Sequence, residues 1–140
     1  MFTKSDLVRI RRIAQNVRYW CEDNNSHFPP NLEGMCAIAA GELNRRLQRA
    51  GFDSKIVVVE DKDGISAHCF CMVESLIVDV TASQFGDYDV LVMKRRARSP
   101  IPWYHHMGTV LQTRRQLTTH QKRTGWPCSQ WATNNRLDYC

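Results

Sequence analysis

The 140-residue chain has no long apolar run. No stretch approaches the roughly 18 consecutive apolar residues that a membrane-spanning helix needs. The first twelve residues are charged rather than apolar, which is not the pattern of a secretory signal. Internal repeats and low-complexity stretches are also absent, and 43% of the residues are hydrophobic, as in a globular protein. We therefore expect a single soluble domain in the cytoplasm, with no membrane partner.

Acidic residues are nearly absent from the last third of the chain. Residues 90–140 hold nine Lys or Arg and one acid, for a net charge of +8, whereas residues 1–89 hold 10 basic and 13 acidic residues. A basic end on a mildly acidic body indicates either an anionic partner or a solvated basic surface. Its densest cluster, residues 94–98, has no interleaved stacking aromatics. An acidic protein is therefore favoured over nucleic acid as the partner.

The six cysteines include no CxxC pair, and their spacing is not that of a disulfide framework. Without a signal peptide, free thiols are the expectation. A late group of His and Cys residues matches no common metal-ligand spacing; it comprises His105, His106, His120, Cys128 and Cys140. The sequence therefore predicts neither a metal nor an organic cofactor.

The periodicity of apolar residues predicts an α+β fold, with N-terminal helices packed on an antiparallel β-meander. Helices are predicted at residues 5–21 and 35–50, the second ended by Gly51, and a further helix is expected near residues 107–122. Four strands are predicted at residues 54–60, 66–73, 76–81 and 88–93. Along the single domain this gives an N-terminal helix and loop (1–33), a core (34–93) and a basic C-terminal extension (94–140).

Cys36 is predicted at the start of the second helix, directly after Gly34-Met35. A helix N-terminus offers free N–H groups and a partial positive charge, and both favour the thiolate over the thiol. Gly34 would let the backbone of a substrate approach closely. The backbone N–H of Cys36 itself would serve as one donor of an oxyanion hole.

His68 and Asp79 are predicted on the two strands of one hairpin. If Glu74-Ser75 is the turn, Phe70 lies opposite Asp79, and alternation puts His68 on the same face. The two side chains then become diagonal neighbours, which would let the carboxylate orient the imidazole. A triad also requires that the start of the second helix packs against this face.

Each of these residues alone is more often structural. A cysteine early in a helix is commonly a small core residue, a histidine in an apolar strand is commonly a satisfied core residue, and a strand aspartate can cap a neighbouring loop. Their combination and their order along the chain are far more specific than any one of them.

Gly34-Met35-Cys36-Ala37, Ala67-His68-Cys69-Phe70 and residues 77–81 together resemble the transglutaminase-like core of the papain-like superfamily. Residues 79–85 are also similar to small papain-fold toxins and glutamine deamidases of bacterial effectors. The resemblance covers roughly residues 32–86. It implies a Cys36–His68–Asp79 triad and acyl transfer from an amide of a protein substrate, as in proteolysis, deamidation or transamidation, inside a host cell if the protein is an effector or a phage protein.

The resemblance leaves the second oxyanion donor open. Papain-like enzymes usually carry a glutamine about six residues before the cysteine, where this chain has Pro30. Asn31 is one substitute and Gln84 a weaker one. Trp103 is a candidate for lining a substrate groove, although its aromatic-rich segment is more readily interpreted as an anchor on the sheet.

Two alternatives stay open beside the enzyme. One is a catalytically inactive papain-like binding module whose basic C-terminal third recruits an acidic protein or nucleic acid. The other is arylamine acetyl transfer from coenzyme A, which uses the same order of triad residues but usually in larger enzymes.

Overall fold

The computed structural model describes residues 2–24, 32, 34–60, 67–95, 101–105 and 108–124. The helices in this part of the chain are α1 (Lys4–Asp23), α2 (Cys36–Arg49) and α3 (Arg114–Thr124). The strands are β1 (Ser54–Glu60), β2 (Ala67–Val73), β3 (Leu76–Asp79), β4 (Leu91–Lys94) and β5 (Thr109–Leu111). Two short 3₁₀ turns cover Ala82–Phe85 and Pro102–His105. The predicted α+β class is confirmed at this level: helices combined with an antiparallel sheet.

Helix α1 begins at a capping box. The Thr3 hydroxyl accepts from the backbone N–H of Asp6, and the Asp6 carboxylate accepts from the backbone N–H of Thr3, both at 3.0 Å. The predicted cap at Ser5-Asp6 is therefore wrong by a few residues, because the cap is Thr3 and Asp6 is the third residue of the helix. The predicted apolar stripe is buried along the core-facing side of the helix; it includes Ile10, Ala14, Val17 and Cys21.

Helix α2 lies within one residue of its predicted limits at both ends. The chain leaves it through Gly51 at φ +94°, the left-handed conformation that glycine adopts at little cost. The first half of the buried side of α2 is built from small residues, which bring the helix close to the sheet. The Cys71 thiol on β2 donates to the Ala40 carbonyl at 3.3 Å.

The sheet has the order β4-β3-β2-β1-β5. The β2–β3 hairpin pairs Cys71 with Val78 and Val73 with Leu76, which is the register predicted from a Glu74-Ser75 turn. Strand β4 is shorter than predicted and begins at Leu91, because the chain bends at residues 86–90 before it pairs with β3.

Both faces of the sheet are covered. The face that carries Cys69, Cys71 and Val73 packs with α1 and α2 in the main core. The opposite face carries Phe70 and Ile77 and forms a second apolar cluster. Ala82 and Tyr104 of the two 3₁₀ turns cover it, together with Ile101. Alternation along β2 places His68 on this second face.

The predicted helix at 107–122 is wrong over its first half. Thr109–Leu111 is an edge strand that pairs with β1, Ile56 lying opposite Leu111. Helix α3 then starts after Thr113, whose hydroxyl accepts from the backbone N–H of Gln116 at 3.1 Å. Among the described residues, no helix is both long and apolar enough to cross a membrane.

Candidate functional site

A histidine–aspartate pair lies buried at one end of the sheet. Nε2 of His68 lies 2.6 Å from Oδ2 of Asp79. His68 is fully buried, and Asp79 is 1% exposed. The hairpin register produces this contact, since His68 is the second residue of β2 and Asp79 the last of β3. The two residues are the diagonal neighbours that the sequence predicts.

Asp79 is held by two further groups. Its Oδ1 accepts from the backbone N–H of Thr81 at 2.9 Å, and its Oδ2 accepts from the Tyr104 hydroxyl at 2.5 Å. Burial alone would raise the pKa of Asp79. The charge of His68 when protonated and the hydrogen bonds from His68, Tyr104 and Thr81 outweigh burial and hold this pKa below its usual value. Asp79 is therefore a fixed anion.

The second ring nitrogen of His68 faces Gln84. Nε2 of Gln84 lies 3.4 Å from Nδ1 of His68 and 3.2 Å from the Thr81 hydroxyl. An ionised carboxylate only accepts hydrogen bonds and an amide nitrogen only donates them. These partners therefore assign the proton of neutral His68 to Nε2 and the lone pair to Nδ1. Nδ1 is thus the nitrogen able to take up a proton.

Aromatic rings surround the imidazole. Phe85 meets it edge-on with ring centroids 4.7 Å apart, and Phe70 lies 5.9 Å away on the same strand. Trp103 and Tyr104 each lie 6.4 Å away. The predicted anchoring role of the aromatic segment holds for Tyr104, which is fully buried. Trp103 is half-buried, at the margin of this aromatic shell.

Cys36 is the first residue of α2, as predicted, and is fully buried. It lines a narrow crevice together with Asp79 and Thr81, and the crevice has no room for a water molecule. The body of α2 packs against the face with Cys69 and Cys71, opposite to His68. A triad requires that the start of α2 packs against the His68 face. The body of the helix lies on the other face, while its first residue, Cys36, meets Asp79 across the crevice.

The expectation of free thiols is wrong for Cys36, which is disulfide-bonded. Cys21, Cys69 and Cys71 are free and buried. Burial raises the pKa of the Cys21 thiol to about 12 and raises that of Cys69 as well. A helix N-terminus favours the thiolate, the form that exchanges with disulfides. The position that makes Cys36 a candidate nucleophile thus also favours its oxidation to a disulfide.

The turn that leads into Cys36 is strained. Leu32 is buried and has φ 63°, and Gly34 has φ 92°. The backbone N–H of Met35 donates to the Leu32 carbonyl at 3.0 Å and closes the turn. A left-handed leucine costs roughly 1–2 kcal/mol, and such strain clusters at functional sites. Asn31, the proposed oxyanion donor, lies outside the described residues.

Arg18 fastens the loop after β3 to α1. Its guanidinium donates to the Val80 carbonyl at 2.9 Å and to the Ser83 hydroxyl at 2.7 Å. It also pairs with Glu22 at 2.8 Å. Arg18 is 6% exposed, so these bonds lie in a poorly solvated environment. The loop that carries Thr81 and Gln84 is thereby fixed from the helix side of the sheet.

Sequence reasoning misses Arg18 and the role of Tyr104. Arg18 lies beside the apolar stripe of α1 and is buried with it. A cation at such a position indicates a buried polar contact, and this is the signal in the sequence that could have pointed to Arg18. Tyr104 stands in the aromatic segment beside Trp103, but nothing in the sequence links it to Asp79.

Within the described residues, no group of three or more His, Cys, Asp or Glu side chains is arranged to hold a metal ion. His120 instead lies 2.9 Å from the Glu60 carboxylate. His106, Cys128 and Cys140 lie outside the described residues. Comparison of the chain with family models, curated proteins and solved structures finds no match.

Proposed function

We propose that the protein is a cysteine-dependent amide hydrolase or acyltransferase that acts on protein substrates, built on a papain-like, transglutaminase-like core. The observation that carries this proposal is the buried His68–Asp79 pair, in which Nε2 of His68 contacts the carboxylate and Nδ1 faces the amide of Gln84. The strained turn into Cys36 and the crevice that Cys36 shares with Asp79 support it.

In the proposed reaction, Nδ1 of His68 takes the thiol proton of reduced Cys36. The sulfur attacks the carbonyl carbon of a carboxamide or peptide bond and forms a C–S bond. The C–N bond then breaks, and His68 returns its proton to the departing amine. Water or a second amine cleaves the thioester and regenerates the thiol. Asp79 keeps the imidazole oriented and stabilises its protonated form throughout.

The donors of the oxyanion hole are part of the proposal. The backbone N–H of Cys36 is one donor, as expected for the first residue of a helix. Gln84 already contacts the ring nitrogen that has to move the proton. A substrate would therefore displace its amide, which could then turn towards the developing oxyanion.

The test is thiol reactivity, measured separately at each cysteine. The full chain is reduced with dithiothreitol, the reductant is removed, and alkylation by iodoacetamide is followed against pH by mass spectrometry. We expect Cys36 to react fastest, with an apparent pKa well below that of Cys21. In His68→Ala this advantage should fall by about tenfold or more, because the Cys36 thiolate loses the imidazole that stabilises it.

The buried thiols of Cys21, Cys69 and Cys71 serve as the internal control. If His68→Ala unfolded the chain, all of them would label faster, which distinguishes loss of structure from loss of the base. The proposal is abandoned if reduced Cys36 reacts no faster than Cys21, or if folded His68→Ala leaves its rate unchanged.

An inactive binding module is the second candidate, favoured by the disulfide at Cys36 and by the complete burial of His68. In that case the His68–Asp79 pair is a satisfied polar contact inside the fold. Slow alkylation of Cys36 after full reduction is the result that selects this candidate.

A further inference from the structure

Helix α3 carries a basic groove beside the end of β5. Arg115, Thr119 and Arg123 recur every fourth residue and so share one helix face. Leu111, Gln116 and His120 complete the lining, and the groove holds about 270 Å³ of solvent space. This is below the volume of most small-molecule pockets, which begin at about 300 Å³. A groove of this size suits side chains of a passing peptide.

The charge of the groove is of one sign. Arg115 and Arg123 are exposed, and no carboxylate of the described residues forms an ion pair with either. Glu60 is engaged by His120 at 2.9 Å, and Arg123 donates to the other nitrogen of His120 at 3.2 Å. Within the part of the chain that the structure describes, no acid therefore competes with an external anion for these two guanidinium groups.

The groove leads toward the end of the sheet that holds the candidate site. At the start of α3, the side chain of Arg114 lies against Gly41 in the middle of α2. Six residues later, His120 reaches Glu60 at the end of β1. Glu60 pairs with Ala67, the residue before His68. Helix α3 therefore runs along α2 in the opposite direction, towards the crevice that Cys36 lines.

We propose that this groove binds an acidic segment of the protein substrate and so guides it to Cys36; this inference rests on the proposed function. Arg115 and Arg123 are eight residues apart, or about 12 Å along the helix axis. An extended peptide rises about 3.3 Å per residue, so carboxylates four residues apart match that spacing. The groove is thus expected to favour acidic residues in an i, i+4 pattern.

Nucleic acid is the less fitting occupant. Binding of a single strand relies on aromatic side chains that stack on the bases. Among the residues that line the groove, none is an aromatic of that kind except the His120 ring, whose two nitrogens are engaged by Glu60 and Arg123.

The experiment measures binding and needs no turnover. A fluorescent peptide with two Glu four residues apart, spaced by Gly and Ser, is titrated with the full chain at low salt, and anisotropy is recorded. The double variant Arg115→Glu/Arg123→Glu is compared with Lys4→Glu/Arg12→Glu. This control changes two exposed cations that are likewise eight residues apart on one helix, so the net charge changes equally.

We expect the groove variant to bind about tenfold or more weakly and the α1 variant to stay within about twofold of the parent. A peptide with the two Glu adjacent should also bind more weakly than the spaced peptide. Equal losses of affinity in both double variants would mean that net charge alone attracts the peptide, and would contradict specific binding in the groove.

Two other results would also overturn the inference. A single-stranded oligonucleotide of equal charge that binds tighter, and whose binding is lost in the groove variant, would assign the groove to nucleic acid. If the peptide still binds but reduced Cys36 is unreactive, the groove is a docking surface and its ligand is not a substrate. Failure of the proposed function is thereby distinguished from failure of the groove.

Discussion

Asp79 is the residue on which the contacts of the candidate site converge. Its pairing with His68 could be predicted, because a two-residue turn and strand alternation fix which side chains become neighbours. The hydroxyl of Tyr104 could not, since Tyr104 lies 25 residues further along the chain. Its position depends on how the connection between β4 and β5 crosses the second face. The role of Arg18 escapes prediction for the same reason, because its partners in the loop after β3 lie more than 60 residues away.

Replacement of Tyr104 by Phe should remove one hydrogen bond to the Asp79 carboxylate and little else. Because Asp79 is buried and charged, we expect a loss of about 1.5–3 kcal/mol in the free energy of unfolding, measured by urea denaturation. Tyr19→Phe is the matched control, since Tyr19 is 56% exposed on α1 and should change stability by less than about 0.5 kcal/mol. Equal effects of the two changes would mean that the hydroxyl of Tyr104 contributes nothing to holding Asp79.

At strand β5 the local sequence pattern predicts the wrong type of element. The pattern over residues 107–122 predicts one helix, but Thr109–Leu111 pairs with β1 instead. A short segment with β-branched residues gains more from completing the exposed edge of β1 than from a first helical turn. The elements before it are predicted closely because each carries its own signal: an apolar stripe, a terminal glycine or a two-residue turn. Strand β5 depends on a partner some 50 residues earlier.

Gly108 allows the start of β5 to approach β1 closely. A Cβ at this position would lie 2.5 Å from the Val58 carbonyl oxygen, closer than real Cβ atoms approach. We therefore expect Gly108→Ala to separate β5 from β1, with faster amide hydrogen exchange in Thr109–Leu111 and a loss of about 1–3 kcal/mol in stability.

Gly51→Ala is the control for this change. Gly51 has φ +94°, and a Cβ added there would have no neighbouring atom within 4 Å, so alanine meets conformational strain alone, about 1–2 kcal/mol. It should leave exchange in β5 unchanged relative to the rest of the sheet. Retention of normal exchange protection in β5 of Gly108→Ala would contradict the proposed role of the close approach.

The stability of the whole molecule should depend on the charge of Asp79. The folded state holds the pKa of this carboxyl below its ordinary value of 3.8, while the unfolded chain does not. Its contribution to stability is therefore complete above that ordinary value and is lost as the pH falls through the lower, folded-state pKa. As the pH falls, the unfolded chain protonates this carboxyl at a higher pH than the folded chain does, so acid favours unfolding.

Asp79→Asn should be less stable at neutral pH by about 1–3 kcal/mol, because the amide cannot accept all the hydrogen bonds that the buried carboxylate accepts. The difference from the parent chain should shrink below about pH 4, as measured by urea denaturation across a pH series. Asp53→Asn is the control, since the side chain of Asp53 is 76% exposed. A difference between Asp79→Asn and the parent that stays constant down to about pH 2 would show that Asp79 is not ionised in the folded protein.

The bonds of Arg18 and Tyr104 also set the limits within which the chain can be shortened. Arg18 on α1 binds the loop after β3, and Tyr104, which follows β4 in the chain, binds Asp79. A fragment trimmed to residues 34–93 would contain Cys36, His68 and Asp79 and still lack both supports. Any attempt to transplant this chemistry to another scaffold, or to express it as a minimal unit, therefore has to carry everything from α1 to Tyr104.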